Sequence, residues 1–204
     1  MSDVVSHCDR RYTAWVRLSV TRASRLSRSS SILLVYGILT MAGALWGALR
    51  GHPQIYRLGP LVAERMLFNL SAGIALGLGI VFLSRYAVHR WQWTRKLHHE
   101  FRHLLGPLTD REILILAIAS SVGEECFFRG ALVPHIGLIA SSGLFALAHI
   151  GPGWRFLPWT VSSFVVGWLM GALFLWGGDL GGPVAAHFVI NYLNLHHIRR
   201  HDFG

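Results

Sequence analysis

The sequence predicts an all-α fold, a polytopic transmembrane bundle of about six helices. Three observations carry that expectation. Of 204 residues, 52% are hydrophobic and only 14% charged, with a mean hydropathy of +0.43; soluble domains carry about 25% charged residues. Apolar stretches near 20 residues recur along the chain, the length that spans a hydrocarbon core of about 30 Å. The basic residues are also unevenly distributed between the intervening segments. Disordered, collagenous and disulfide-rich classes do not fit this composition. The net charge of +9 does not require a nucleic-acid partner, and none is expected.

Spans are expected at Ile32–Leu49, Met66–Ser84, Arg111–Leu132, Ile136–Ile150, Phe156–Gly178 and Leu180–Ile198. The third is apolar except for Glu124, Glu125 and Arg129, and the fourth is short. Small-xxx-small pairs at Gly43/Gly47, Gly73/Gly77 and Gly167/Gly171 suit close helix packing. Five segments follow: a basic arm (1–31), two spans (32–84), a basic amphipathic loop (85–110), a polar-residue-bearing core (111–200) and a tail (201–204). With the N-terminus inside, 15 of the 19 basic residues fall on the cytoplasmic side and three outside. Both termini are therefore expected in the cytoplasm. Residues 1–31 lack the apolar core of a secretory signal and suit an arm lying beside anionic lipid. Trp91 and Trp93 are expected at the headgroups. Cys8 and Cys126 sit in unlike settings and are not expected to pair.

Eight of the ten acids lie in tails, loops or span edges. The other two, Glu124 and Glu125, are adjacent inside a span, where ionisable groups are costly and mark function. Glu125 and Arg129, at i and i+4, share a face and can pair, which leaves Glu124 uncommitted. Phe145 stands one turn before His149 on the fourth span, and His187 shares a face with Asn191 on the sixth. A free carboxylate, two imidazoles and a neutral amide are the parts needed for attack of water on an amide.

The motifs Glu-Glu-x-x-x-Arg (124–129), Phe-x-x-x-His (145–149) and His-x-x-x-Asn (187–191) together resemble those of the CPBP intramembrane protease family, which includes CAAX prenyl endopeptidases and bacteriocin-processing or immunity proteins. The resemblance covers about residues 111–195. It implies that Glu124 activates water with help from His149, that Glu125 and Arg129 hold the first motif, with Phe145 in support, and that His187 and Asn191 stabilise the oxyanion. No cofactor is needed in a glutamate-type mechanism. In a metal-dependent one, Glu124, His149 and His187 would ligate zinc with a position open for water. The implied substrate is a membrane-anchored protein or peptide, and the implied location is a bacterial inner membrane, or the endoplasmic reticulum in a eukaryote.

Other residues of the chain fit other chemistries. His99-Glu100-Phe101-Arg102-His103 fits the HExxH zincin pattern, although no third ligand motif accompanies it. A serine protease would need Ser141 or Ser142, without the Gly-x-Ser-x-Gly elbow; Ser120, Ser121, Ser162 and Ser163 read as helix serines bonded to backbone. A non-catalytic immunity or chaperone-like peptide binder and a transporter complete the set, the latter disfavoured by the lack of an internal repeat.

Overall fold

The computed structural model describes residues 28–203. Most of the expected basic arm, and Cys8 with it, lie outside that range; Arg28 to Ser31 already belong to the first helix. The helices are α1 (Arg28–Leu49), α2 (Ala63–Arg90), α3 (Gln92–Leu105), α4 (Asp110–Glu124), α5 (Val133–Ile136), α6 (Leu138–Ala148), α7 (Leu157–Gly177) and α8 (Gly181–Arg200). A π-helical segment, Glu125–Leu132, joins α4 to α5 without a break. No β-strand occurs among the described residues.

Each expected span has a helical counterpart. Three helices are long and apolar enough to cross a bilayer by length and composition: α1, α2, and Trp154–Gly177, which adds a 3₁₀ turn to α7. Their exposed side chains are largely apolar, among them Leu34, Leu45, Leu67, Phe82, Val161 and Val165. Asn69 on α2 and Ser163 on α7 are buried instead. The expected loop at 85–110 is mostly helical, because α2 runs on to Arg90 and α3 follows after the single extended residue Trp91.

Side chains satisfy the unpaired backbone groups at three of the helix ends. Thr109 and Glu112 form a capping box at the start of α4, with Glu112 Oε2 accepting from the Thr109 amide at 2.8 Å. Such a cap contributes about 1 kcal/mol. At the α2–α3 corner, the Thr94 hydroxyl donates to the Ala87 and Trp91 carbonyls, and Arg95 Nε donates to the Val88 carbonyl. The last carbonyls of α8 are covered by α3: Arg102 Nη1 donates to Ile198 O at 2.9 Å and to Arg199 O at 2.5 Å.

α2 packs mainly on α8, α6 on α7, and α4 on α8. The α2–α8 contact depends on Gly73 and Gly77, where a Cβ would run into the backbone at Gly182 and Ala186 respectively. Asn69, fully buried on α2, donates through Nδ2 to Asp179 O at 3.0 Å. It wedges against Gly177 and Gly182 and so ties α2 to the turn between α7 and α8.

The two ends of the bundle have distinct compositions. At one end α3, the tail and the 151–156 turn meet: His98 contacts His201 O, Glu100 pairs with Arg155, and Phe101 packs on Phe156 and Trp159. At the other end the 50–60 segment meets the α7–α8 turn, with Leu58 N donating to Gly178 O and Leu180 N to Tyr56 O. The rings of His52 and His135 also meet there.

Candidate active site

The continuous helix formed by α4, the π-helical segment and α5 turns back at Gly137 into α6. Glu124 lies thirteen residues before that glycine and His149 twelve after it. Arms of nearly equal length, at about 1.5 Å per helical residue, bring the two side chains level. The short fourth span, which alone would leave His149 away from Glu124, is thereby accommodated: α6 ends at Ala148 and His149 is its C-cap.

Glu125 and Arg129 are both buried and pair at 2.9 Å. Arg129 also donates from Nη2 to Gly167 O at 3.2 Å, and its guanidinium lies 4.2 Å from the centre of the Phe145 ring. The cation is thus held by a carboxylate, a carbonyl and an aromatic face, as a buried charge requires. Phe145 carries the contact onward, since its ring centroid lies 4.3 Å from that of His149.

The sequence pattern did not show that Glu125 Oε1 accepts a second hydrogen bond, from His187 Nδ1 at 2.7 Å. His149 Nδ1 bonds to Phe145 O at 2.7 Å. A carbonyl and a carboxylate paired with arginine can only accept, so both imidazoles carry their proton on Nδ1. In the neutral form of each ring Nε2 presents a lone pair. These lone pairs face Glu124 Oε2, at 3.7 Å from His149 and 3.9 Å from His187. That oxygen is buried and has no hydrogen-bond partner. Three acceptors therefore surround one gap. The separations are too long for direct hydrogen bonds.

Zinc fits this arrangement less well. Ligand atoms around a tetrahedral zinc with bonds near 2.0 Å stand roughly 3.3 Å apart, closer than those measured from Glu124 Oε2. Among the described residues, no group of three His, Cys, Asp or Glu is gathered to hold a metal ion. The HExxH stretch falls under the same statement. His99 and His103 do approach, Nε2 to Nε2 at 2.9 Å, but Glu100 is committed to Arg155, and His99 lies 3.5 Å from Asp202.

Asn191 Nδ2 donates to Ser120 Oγ at 2.9 Å, one turn before Glu124 on α4. One amide hydrogen remains for other use. Ser120 therefore does more than bond to its own helix, a role that spacing could not reveal. Ser121, Ser141, Ser142 and Ser162 all donate to backbone carbonyls, Ser141 to Phe128 O. Cys126 is a free thiol packed beside the cluster of Val133, Phe174 and Leu180. Tyr36, on α1, belongs to no motif of the sequence, and its phenol lies within side-chain hydrogen-bonding reach of Glu124.

Apolar helices enclosing a buried carboxylate–imidazole cluster define the class: an integral membrane protein with a polar site in its interior. Comparison with known proteins narrows it. Residues 111–193 match the family model of the Rce1-like type II CAAX prenyl endopeptidases. The uncharacterized protein YpbD of Bacillus subtilis (strain 168) is 30% identical over 143 residues, covering 64% of this chain and 72% of YpbD. The sporulation-killing factor biosynthesis protein SkfC of the same organism is 29% identical over 192 residues, covering 86% of this chain but 38% of SkfC. No solved structure matches. The chain belongs to the CPBP family of intramembrane proteases.

Proposed function

We propose that the protein is an intramembrane endopeptidase that hydrolyses a peptide bond in a membrane-attached protein or peptide. The observation that supports this most is the gap bounded by Glu124 Oε2 and the Nε2 atoms of His149 and His187. A carboxylate oxygen flanked by two imidazoles can orient a water, whose two hydrogens go to Glu124 and to one of the rings.

In this reading Glu124 takes a proton from that water as its oxygen bonds to the scissile carbonyl carbon. His149, fixed by the Phe145 carbonyl, orients the water and shares the proton. His187 begins as an acceptor. The proton that Glu124 took from the water passes to the His187 Nε2, making an imidazolium that is stabilised by the Glu125 carboxylate on its other nitrogen and donates to the developing oxyanion until it gives that proton to the leaving amine. Asn191 offers its second amide hydrogen to the same oxygen. The C–N bond then breaks and the leaving amine takes back the proton. Arg129 and Phe145 touch no reacting atom in this scheme; they hold Glu125 and His149. The mechanism is of the glutamate type and routes no step through a metal.

Such an enzyme has six spans, cytoplasmic termini and an anionic-lipid surface against the end of the bundle that carries α3. The domain plan, a basic arm followed by two spans ahead of the catalytic core, is part of the same proposal. Trp91, Trp93 and the strongly exposed Trp154 are all at hand there for headgroup contact. By the likeness to the Rce1-like model, the substrate is of CAAX type or a sorting or bacteriocin-type peptide.

The test is cleavage of membrane-anchored candidate peptides by the full chain in liposomes, run in H₂¹⁸O with and without a chelator. One ¹⁸O in the new C-terminal carboxylate, at a rate the chelator leaves unchanged, is expected. Loss of cleavage on chelation, restored by zinc, would overturn the metal-free mechanism. Binding of the peptides without any product would favour the non-catalytic immunity-type reading.

A further inference from the structure

Position 36 lies outside the segment that matches the family model, yet its side chain meets the reacting carboxylate. The crossing of α1 over α4 explains how. Gly123, immediately before Glu124, leaves the space that admits α1: a Cβ there would come within 2.9 Å of Tyr36 O and 3.1 Å of Tyr36 Cβ. Two turns further along α1, Gly43 makes a second close approach, where a Cβ would stand 3.1 Å from Phe127 Cα and 3.2 Å from Cys126 O. One glycine on each helix thus seats α1 against the start of the π-helical segment. Thr40 Oγ1 donates to Tyr36 O at 2.8 Å, which fixes the backbone at that turn.

From this seat the phenol is within side-chain hydrogen-bonding reach of the Glu124 carboxylate. A phenol donates and a carboxylate accepts. Glu124 Oε2 faces the two imidazoles and has no hydrogen-bond partner, which leaves Oε1 as the oxygen for a phenol to hold. A carboxylate held at one oxygen and free at the other is oriented without being neutralised. Glu125 has Arg129 and His187 to fix it, whereas Glu124 has no such partner among its own helix neighbours.

We propose that Tyr36 is a positioning residue of the hydrolytic site, holding the Glu124 carboxylate so that Oε2 faces the gap between His149 and His187. This rests on the reading of Glu124 as the base. It also gives α1 a part in the chemistry: the helix brings a hydroxyl group to a site otherwise built by α4, α6 and α8.

The test compares Tyr36→Phe, which keeps the ring against Gly123 and removes only the hydroxyl, with Tyr36→Ala. Mispositioning of a catalytic group by about 1 Å costs on the order of 100-fold in rate, so kcat for Tyr36→Phe is expected to fall by about 10- to 100-fold while KM stays within about twofold. Wild-type kcat in Tyr36→Phe with loss only in Tyr36→Ala would mean the ring merely packs, and would overturn the proposal. A second readout needs no turnover. With 3-fluorotyrosine at position 36, the ¹⁹F resonance should move on Glu124→Gln and stay put on Glu64→Gln, a change at the far end of α2. An unmoved resonance on Glu124→Gln would overturn the contact. If the resonance moves but the wild-type chain cleaves no candidate peptide, the hold on Glu124 stands and the peptidase reading falls.

Discussion

His187 Nδ1 and Glu125 Oε1 meet at 2.7 Å, across two helices and 62 residues of chain. That contact turns the second acid of the Glu124–Glu125 pair from a helix-bound ion-pair partner into the link between α4 and α8. It also sets which nitrogen of His187 faces the gap.

Removing Arg129 should therefore be costly. Arg129→Met leaves the Glu125 carboxylate buried with only His187 as partner, and an uncompensated buried charge costs about 3–5 kcal/mol. The double variant Glu125→Gln/Arg129→Met should be less destabilised than Arg129→Met alone, since the orphaned charge is gone. Thermal unfolding in detergent measures both. Equal losses in the two variants would contradict the account.

Asn69 gives a structural counterpart remote from the cluster. Asn69→Ala loses the bond to Asp179 O and the wedge at Gly177 and Gly182. A loss of about 1–3 kcal/mol is expected, with the rate per folded molecule unchanged. A kcat change without a stability change would place Asn69 in the reaction path instead.

The α3–α8 junction should loosen in acid. Burial, with the nearby Arg85, Arg102 and His201 charges acting the same way, holds His98 below the ordinary histidine value, despite the opposing hydrogen bond to His201 O. The folded chain thus favours neutral His98. Its contribution is present above about 6.5 and is lost as pH falls from there through the depressed value. Hydrogen exchange, corrected for intrinsic rate, should rise in α3 between about pH 7.5 and about pH 5.5. His98→Gln should flatten that dependence. A dependence that survives the substitution would assign it elsewhere.

The helices were legible because apolar runs of bilayer length are a one-dimensional signal, and the turn at Gly137 only had to be short. The pairing of Glu125 with Arg129 was legible for the same reason, as both lie on one helix. Contacts between helices were not. The bond from His187 to Glu125 and that from Asn191 to Ser120 depend on how α8 lies against α4, which residue spacing does not encode. The π-helical segment from Glu125 was hidden as well, because its composition differs in no way from that of an α-helix. Tyr36 and Asn69 belong to no motif of the sequence; only the general need of polar groups within spans for partners points to Asn69.

The direct comparison is Glu124→Gln against Glu100→Gln in one cleavage assay. Glu124 stands at the gap, whereas Glu100 is occupied by Arg155 at one end of the bundle. Loss of a general base costs about 10²- to 10⁴-fold, so Glu124→Gln should lower kcat by that factor while Glu100→Gln stays within about twofold of the wild-type chain. Activity retained in Glu124→Gln and lost in Glu100→Gln would move the chemistry to His99, Glu100 and His103 and contradict the central claim.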